Sequence, residues 1–159
     1  MPIQQIAVLG AGTMGHGIAH AAMAGGYRTR MFDVSEASLN KGEAAIEAII
    51  GKGVELGKVQ PPEADAMRKR LVATSKIEEA LDGTDLVIEA APEKIDVKLA
   101  LLADVDRLAA ESAIVATNTS ALSITELAGS MKRPSRVGGM HFFNPVHRMK
   151  LVEIVQALE

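Results

Sequence analysis

An apolar run, Ile6-Ala7-Val8-Leu9, leads directly into Gly10-Ala11-Gly12-Thr13-Met14-Gly15, and this junction constrains the fold more than any other part of the chain. A buried strand that closes on G-x-G-x-x-G, opens a helix and is followed by an acid after a second strand describes a dinucleotide-binding turn. Gly10 permits the tight turn, Gly12 lets the backbone approach a pyrophosphate with no side chain in the way, and Gly15 lets the helix pack close to the strand. Thr13 and Met14 open that helix, whose free N–H groups and positive dipole end face the phosphates.

A glycine-rich turn alone also reads as a plain strand-to-helix connection, so the flanking sequence matters. The helix expected over residues 14–25 is small and apolar on most faces (Ile18, Ala19, Ala21, Ala22, Met23), as one packed on a sheet must be. Gly25-Gly26 stops it. A second strand, Arg28-Thr29-Arg30-Met31-Phe32, ends in Asp33, close to the position from which an acid accepts hydrogen bonds from a ribose 2′-OH. A carboxylate there repels a 2′-phosphate, so the cofactor expected is NAD, not NADP. Arg28 and Arg30 argue the other way, but strand alternation gives them no clear route to the phosphate. The alternative for Asp33 is a turn or N-cap acid before the helix beginning near Glu36.

With 159 residues and 48% hydrophobic side chains, the chain can bury one sizeable α/β core. One Tyr, three Phe and no Trp make that core aliphatic. The net charge of −3, with both signs interspersed, leaves no basic footprint for nucleic acid. The absence of cysteine excludes disulfides, zinc–thiolate sites and thiol nucleophiles. No stretch approaches membrane-spanning length and no signal-peptide pattern opens the chain, so a cytoplasmic protein away from membranes is expected.

Strands alternating with helices predict a Rossmann-type, doubly wound, mostly parallel sheet forming one domain over residues 1–159. Helices are expected at 36–50, 62–69, 94–109 and 123–127, with a Gly/Lys-rich connection running through Gly57. Further strands are expected at 71–73, 85–89, 113–117, 136–140 and 151–155.

The second half holds three polar patches: Thr117-Asn118-Thr119-Ser120 after one strand, His141-Phe142-Phe143-Asn144-Pro145 after another, and Glu153 inside an otherwise apolar strand. Ligands of open parallel sheets bind at the carboxyl ends of strands, so Ser120 and His141 are expected on the same edge as the glycine turn. A Glu within Leu-Val-x-Ile-Val is costly to bury, which argues for a charged or hydrogen-bonded partner.

Taken in order, GAGTMG, Glu89-Ala90-Ala91-Pro92-Glu93, NTSAL, HFFNP and LVEIV resemble the L-3-hydroxyacyl-CoA dehydrogenases along the whole chain. HFFNP followed by LVEIV is the most specific part of that resemblance. It implies NAD-dependent oxidation of a 3-hydroxyacyl-CoA to the 3-ketoacyl-CoA, with His141 as catalytic histidine, Glu153 as its partner and Ser120 near the substrate hydroxyl and nicotinamide. Asn144, Glu93 and Lys98 match family positions lining the nicotinamide or substrate end of the cleft, and the position of Lys98 is associated there with the CoA moiety. The family continues into a mostly helical second domain that supplies much of the acyl-CoA pocket and the main dimer surface. The resemblance therefore implies a homo-oligomer, or a chain completed by that helical domain.

The roles also follow from chemistry. Oxidising a secondary alcohol removes the hydroxyl proton as hydride leaves carbon, so a base must touch that oxygen, and imidazole is suited to it. A carboxylate on the other ring nitrogen fixes the tautomer, while Ser120 and Asn144 can donate to developing negative charge. Blander readings stand beside these: His141 as an ordinary loop or core histidine, Glu153 pointing to solvent on an edge strand, Ser120 capping the helix at 123–127, and Lys98 solvated on its helix. His16 and His20 lie one helical turn apart without a third ligand, so packing or surface roles, and no metal site, are expected. A non-catalytic NAD-binding module and a dehydrogenase for another hydroxy acid remain the alternative functions.

Overall fold

The computed structural model describes residues 2–158. Seven strands form one sheet: β1 (Gln5–Leu9), β2 (Arg28–Phe32), β3 (Leu71–Thr74), β4 (Leu86–Glu89), β5 (Ile114–Thr117), β6 (Val137–Phe142) and β7 (Val152–Gln156). Their order is β3-β2-β1-β4-β5-β6-β7, with every pairing parallel except β6–β7. Winding therefore reverses between β1 and β4, opening a crevice at the carboxyl ends of the strands. The Rossmann-type, mostly parallel sheet expected from the sequence is the fold observed.

Period-two alternation splits the core into two layers. Val8, Met31 and Ile88 face α1 (Thr13–Ala24), α2 (Glu36–Glu55) and α3 (Pro61–Arg68), where Ile18, Met23, Ile46 and Met67 meet them. Leu9, Phe32, Val87 and Val115 face α4 (Ile77–Leu81), α5 (Ile95–Leu108) and α6 (Ile124–Gly129), where Leu81, Leu102, Val105 and Leu127 close the other layer. The core is aliphatic, with Phe32 the one aromatic side chain fully inside it among the described residues.

Several boundaries differ from expectation. α2 does not stop at Ile50 but runs to Glu55 through Gly51 and Gly53, because the chain reverses at Gly57 and lays Val59 on Gly53, where a Cβ would lie 2.9 Å from it. The short α4 was not expected. β6 continues through His141 and Phe142, so the histidine lies within the strand and not after it. Ser123, not Ser120, caps α6 by accepting a hydrogen bond from the Glu126 amide.

The largest correction concerns Glu153. β7, the outer strand of the sheet, is exposed along its whole length, and the Glu153 side chain is 54% exposed. An apolar strand sequence reads identically for a buried central strand and for an uncovered edge, so the burial argument fails while the expected partner is present. Among the described residues no helix is long and apolar enough to cross a membrane.

Candidate active site

The glycine turn is shaped partly by the protein and partly by something outside it. Gly10 sits at φ +114°, and a Cβ there would come 2.5 Å from the Ala90 carbonyl oxygen. A Cβ at Gly15 would land on the Gly10 carbonyl. A Cβ at Gly12, by contrast, would meet nothing within 4 Å, so internal packing does not demand glycine there. The first turn of α1 begins just beyond it with no side-chain cap, leaving its N–H groups open to an anion.

On one side of this turn lies a cleft of about 600 Å³ bordered by Gly10, Asp33, Val34, Ile77, Val97 and Leu101. Asp33 stands at its head. Its two oxygens accept hydrogen bonds from the Ala11 amide and the Ser35 amide, each at 3.0 Å. The helix cap is supplied by Ser35, so Asp33 is not the N-cap; it braces the glycine turn and keeps lone pairs toward the cleft. Arg30 turns away, onto the Glu79 carbonyl and Asp82.

On the other side a cleft of about 370 Å³ is walled by Met14, Glu93, Ser120, His141, Phe143 and Asn144, with Lys98 behind them. His141 and Glu153 are directly opposed in the β6–β7 register, and the imidazole Nδ1 lies 3.0 Å from Glu153 Oε2. Since the carboxylate can only accept, the neutral ring carries its proton on Nδ1 and leaves Nε2 as a lone-pair base. Phe143 stacks at a tilt on the imidazole, ring centres 4.6 Å apart. Asn118 Oδ1 accepts from the Phe142 amide at 2.8 Å, fastening the end of β5 to the strand that carries His141.

Beneath this cleft lies a buried polar network that the sequence reading assigned no role beyond Glu93 and Lys98. Glu89, 0% exposed at the end of β4, accepts from the Ala91 amide at 2.6 Å, the Thr117 hydroxyl at 2.6 Å and Lys98 Nζ at 2.8 and 2.9 Å. Lys98 is 1% exposed, so the reading of it as a solvated helix residue is wrong: its ammonium pairs with Glu89 and lies 3.4 Å from Glu93. Glu93 Oε1 takes the Thr119 hydroxyl and the amides of Ser120 (3.0 Å) and Ala121 (3.2 Å). Burial pushes the Glu93 carboxyl up, but the Thr119 hydroxyl, the Lys98 charge and those two amides outweigh it and leave it below its usual value. The signal for Glu89 was present as an acid closing an apolar strand; its partner is visible only once α5 is folded back over β4.

Among the described residues no group of three His, Cys, Asp or Glu side chains is placed to hold a metal ion. His16 Nδ1 lies 2.8 Å from the Gly12 carbonyl, while His20 Nδ1 is buried with no hydrogen-bond partner among the described residues. Burial, with His147 and His16 adding to it, lowers the His20 imidazole.

An open turn at Gly12, an uncapped helix start and a carboxylate at the mouth of the neighbouring cleft suit a dinucleotide, and with the reversed sheet they define a Rossmann-type NAD-binding domain. The chain belongs to the family described as 3-hydroxyacyl-CoA dehydrogenase, NAD binding domain, whose model matches residues 5–159. It is 42% identical over 156 residues to 3-hydroxyadipyl-CoA dehydrogenase of Escherichia coli (strain K12), covering 98% of this chain and 33% of that protein. It is 40% identical over 158 residues to a probable 3-hydroxybutyryl-CoA dehydrogenase of Bacillus subtilis (strain 168), covering 99% of this chain and 55% of the relative. The crystal structure of (S)-3-hydroxybutyryl-CoA dehydrogenase from Ralstonia eutropha superposes with a TM-score of 0.95 at 38% identity, over 99% of this chain and 55% of that one. The chain thus spans between a third and about half the length of these relatives.

Proposed function

We propose that the chain is the cofactor-binding and proton-transfer portion of an NAD-dependent dehydrogenase that interconverts 3-hydroxyacyl-CoA and 3-ketoacyl-CoA. The observation that carries this reading is the His141–Glu153 pair, opening onto the same cleft as Ser120 and Asn144 beside the glycine turn. Bound NAD supplies the hydride acceptor. His141 Nε2 takes the hydroxyl proton as the C3–H bond breaks, and Glu153 holds the ring's tautomer and stabilises the imidazolium. Ser120 and Asn144 donate to the substrate oxygen as negative charge develops on it. Gly10, Gly12, Thr13, Met14 and Gly15 carry the pyrophosphate, and Asp33 the adenosine ribose.

A second reading, an NAD-binding module without turnover of its own, is favoured by the exposure of β7 beside Glu153, which leaves the cleft open on that side. A helical segment or a second copy of the chain laid over β7 would close it. NADH oxidation with acetoacetyl-CoA, followed at the NADH absorbance band beside a direct NADH titration, decides between the two. Turnover that depends on His141 supports the dehydrogenase, binding without turnover selects the module, and absence of NADH binding removes both.

A further inference from the structure

His141 stands on a part of the sheet that has lost its inner neighbour. β5 ends at Thr117 and its pairing with β6 stops at Gly139, so Met140, His141 and Phe142 pair within the sheet only with Ile154, Glu153 and Val152 of β7. β7 is itself the outermost strand and exposed. A two-stranded ribbon of this kind is marginally stable in water, yet the 3.0 Å contact between His141 and Glu153 demands a fixed register. One side chain makes good the missing strand. Asn118, the first residue after β5, turns its Oδ1 to the Phe142 amide at 2.8 Å, where a longer β5 would have offered a main-chain carbonyl. Asn118 is anchored in turn, because its own amide donates to the Glu89 carbonyl at 2.8 Å. Phe142 lies between His141 and Phe143, whose ring centres are 4.6 Å apart, so this single bond fixes the main chain between the two rings.

We infer that Asn118 is a positioning residue for proton transfer: its side chain extends β5 by one acceptor and thereby holds the His141 imidazole in register with Glu153. Without that acceptor the Phe142 amide loses its partner, the end of the ribbon frays, and the imidazole leaves the carboxylate. The ring's tautomer is set by the hydrogen bond that Nδ1 makes. An imidazole freed from Glu153 takes up the form protonated on Nε2, which removes the lone pair from the atom that must accept the hydroxyl proton. The catalytic consequence rests on the dehydrogenase reading proposed above; the hold on the ring does not.

The test compares the 159-residue chain with Asn118→Leu, which keeps the shape but removes the acceptor, and Asn118→Asp, which keeps an oxygen where Oδ1 stands. Asn118→Ala gives the same comparison should the leucine variant fail to fold. Two readings need no ligand: hydrogen exchange at the Phe142 amide, with Val8 in the central strand as reference, and the ring-nitrogen chemical shifts of neutral His141, which report its tautomer. In Asn118→Leu the Phe142 amide should exchange roughly tenfold faster with Val8 unchanged, the effect of one lost hydrogen bond. His141 should pass from the Nδ1–H form to one mainly protonated on Nε2, and Asn118→Asp should restore both parental readings. Retained protection and tautomer in Asn118→Leu, equal acceleration at Val8, or failure of Asn118→Asp to restore them overturns the proposal. Turnover of acetoacetyl-CoA should fall in Asn118→Leu through kcat, with NADH affinity kept. Lost NADH affinity beside an unchanged tautomer would make Asn118 a ligand contact and also overturn it. If no form of the protein turns over acetoacetyl-CoA, the dehydrogenase reading fails, while exchange and tautomer still decide the role of Asn118.

Discussion

His141 and Glu153 are the directly opposed pair of an antiparallel ribbon, joined at 3.0 Å between Nδ1 and Oε2. Their meeting is dictated by register: a slip of one residue between β6 and β7 would send one of the two side chains to the opposite face of the sheet. In any form of the protein that turns over, His141→Ala should lower the rate by about 10² to 10⁴ while sparing NADH affinity. Glu153→Gln should be slow with its fold intact, since an amide holds the ring but stabilises an imidazolium poorly. Near-parental kcat in both variants would make the pair structural.

Asp33 should confer preference for NADH over NADPH. Asp33→Ala is expected to weaken NADH by roughly tenfold, the value of one hydrogen bond to a charged group, and to narrow the gap between the two cofactors. Equal binding of both by the parent chain would refute the ribose role.

The three glycines of the turn should fail differently. Gly12→Val points a side chain into open space, so the melting curve should stay close to the parent's while NADH binding disappears. Gly15→Ala drives a methyl group into the Gly10 carbonyl and should lower stability itself. Thermal melts beside NADH titrations separate the two outcomes.

Acidification should weaken the fold from the histidine range downward. Burial lowers the His20 imidazole, with His147 and His16 adding to it, and burial likewise lowers His147, with Arg148 and His16 adding. A base lowered in the folded state gains its proton more readily when unfolded, so stability is full above the ordinary value of 6.5 and declines below it. The lowered carboxyls of Glu93, Glu47 and Asp85 contribute stability that is lost only nearer their ordinary values of 4.5 and 3.8 and below. Denaturant midpoints at about pH 7.5 and 5.5 should therefore fall with pH, and His20→Gln should flatten the fall. A midpoint that holds steady over this interval would contradict the histidine account.

Val152, Ile154, Val155 and Leu158 are exposed on and beside β7, an apolar edge of the kind that pairs with or is covered by other chain. Light scattering should show the 159-residue chain associating at high concentration, and Ile154→Lys should reduce it. A clean monomer at every concentration would count against this.

Much of this was legible without coordinates, because the features that mattered were local. The strand-to-glycine junction, Asp33 after the second strand, and the two motifs carrying His141 and Glu153 each lie within a few consecutive residues. What escaped was set by tertiary neighbours. Hydropathy does not say whether a strand's faces are covered, so a buried β7 and a solvent-facing edge strand were both open readings, and the second is the one observed. Charge on a helix says nothing of what lies beneath it, so a solvated Lys98 stood as an alternative to one at the cleft until Glu89, nine residues earlier on β4, was found under it. The glycines ending α2 looked like a break because the partner of Gly53, Val59, arrives only after the reversal at Gly57.

α5 borders both clefts, with Val97 and Leu101 on the wall of the one beside Asp33 and Lys98 behind the one beside His141. For anyone recombining this domain with a relative, that shared wall decides where parental sequences can be joined. A crossover at the β1–β4 reversal looks natural on a topology diagram, yet it would set one parent's Asp33 against the other parent's helix. A junction after Leu108, the last residue of α5, transfers the first compartment whole and leaves His141 and Glu153 with the recipient.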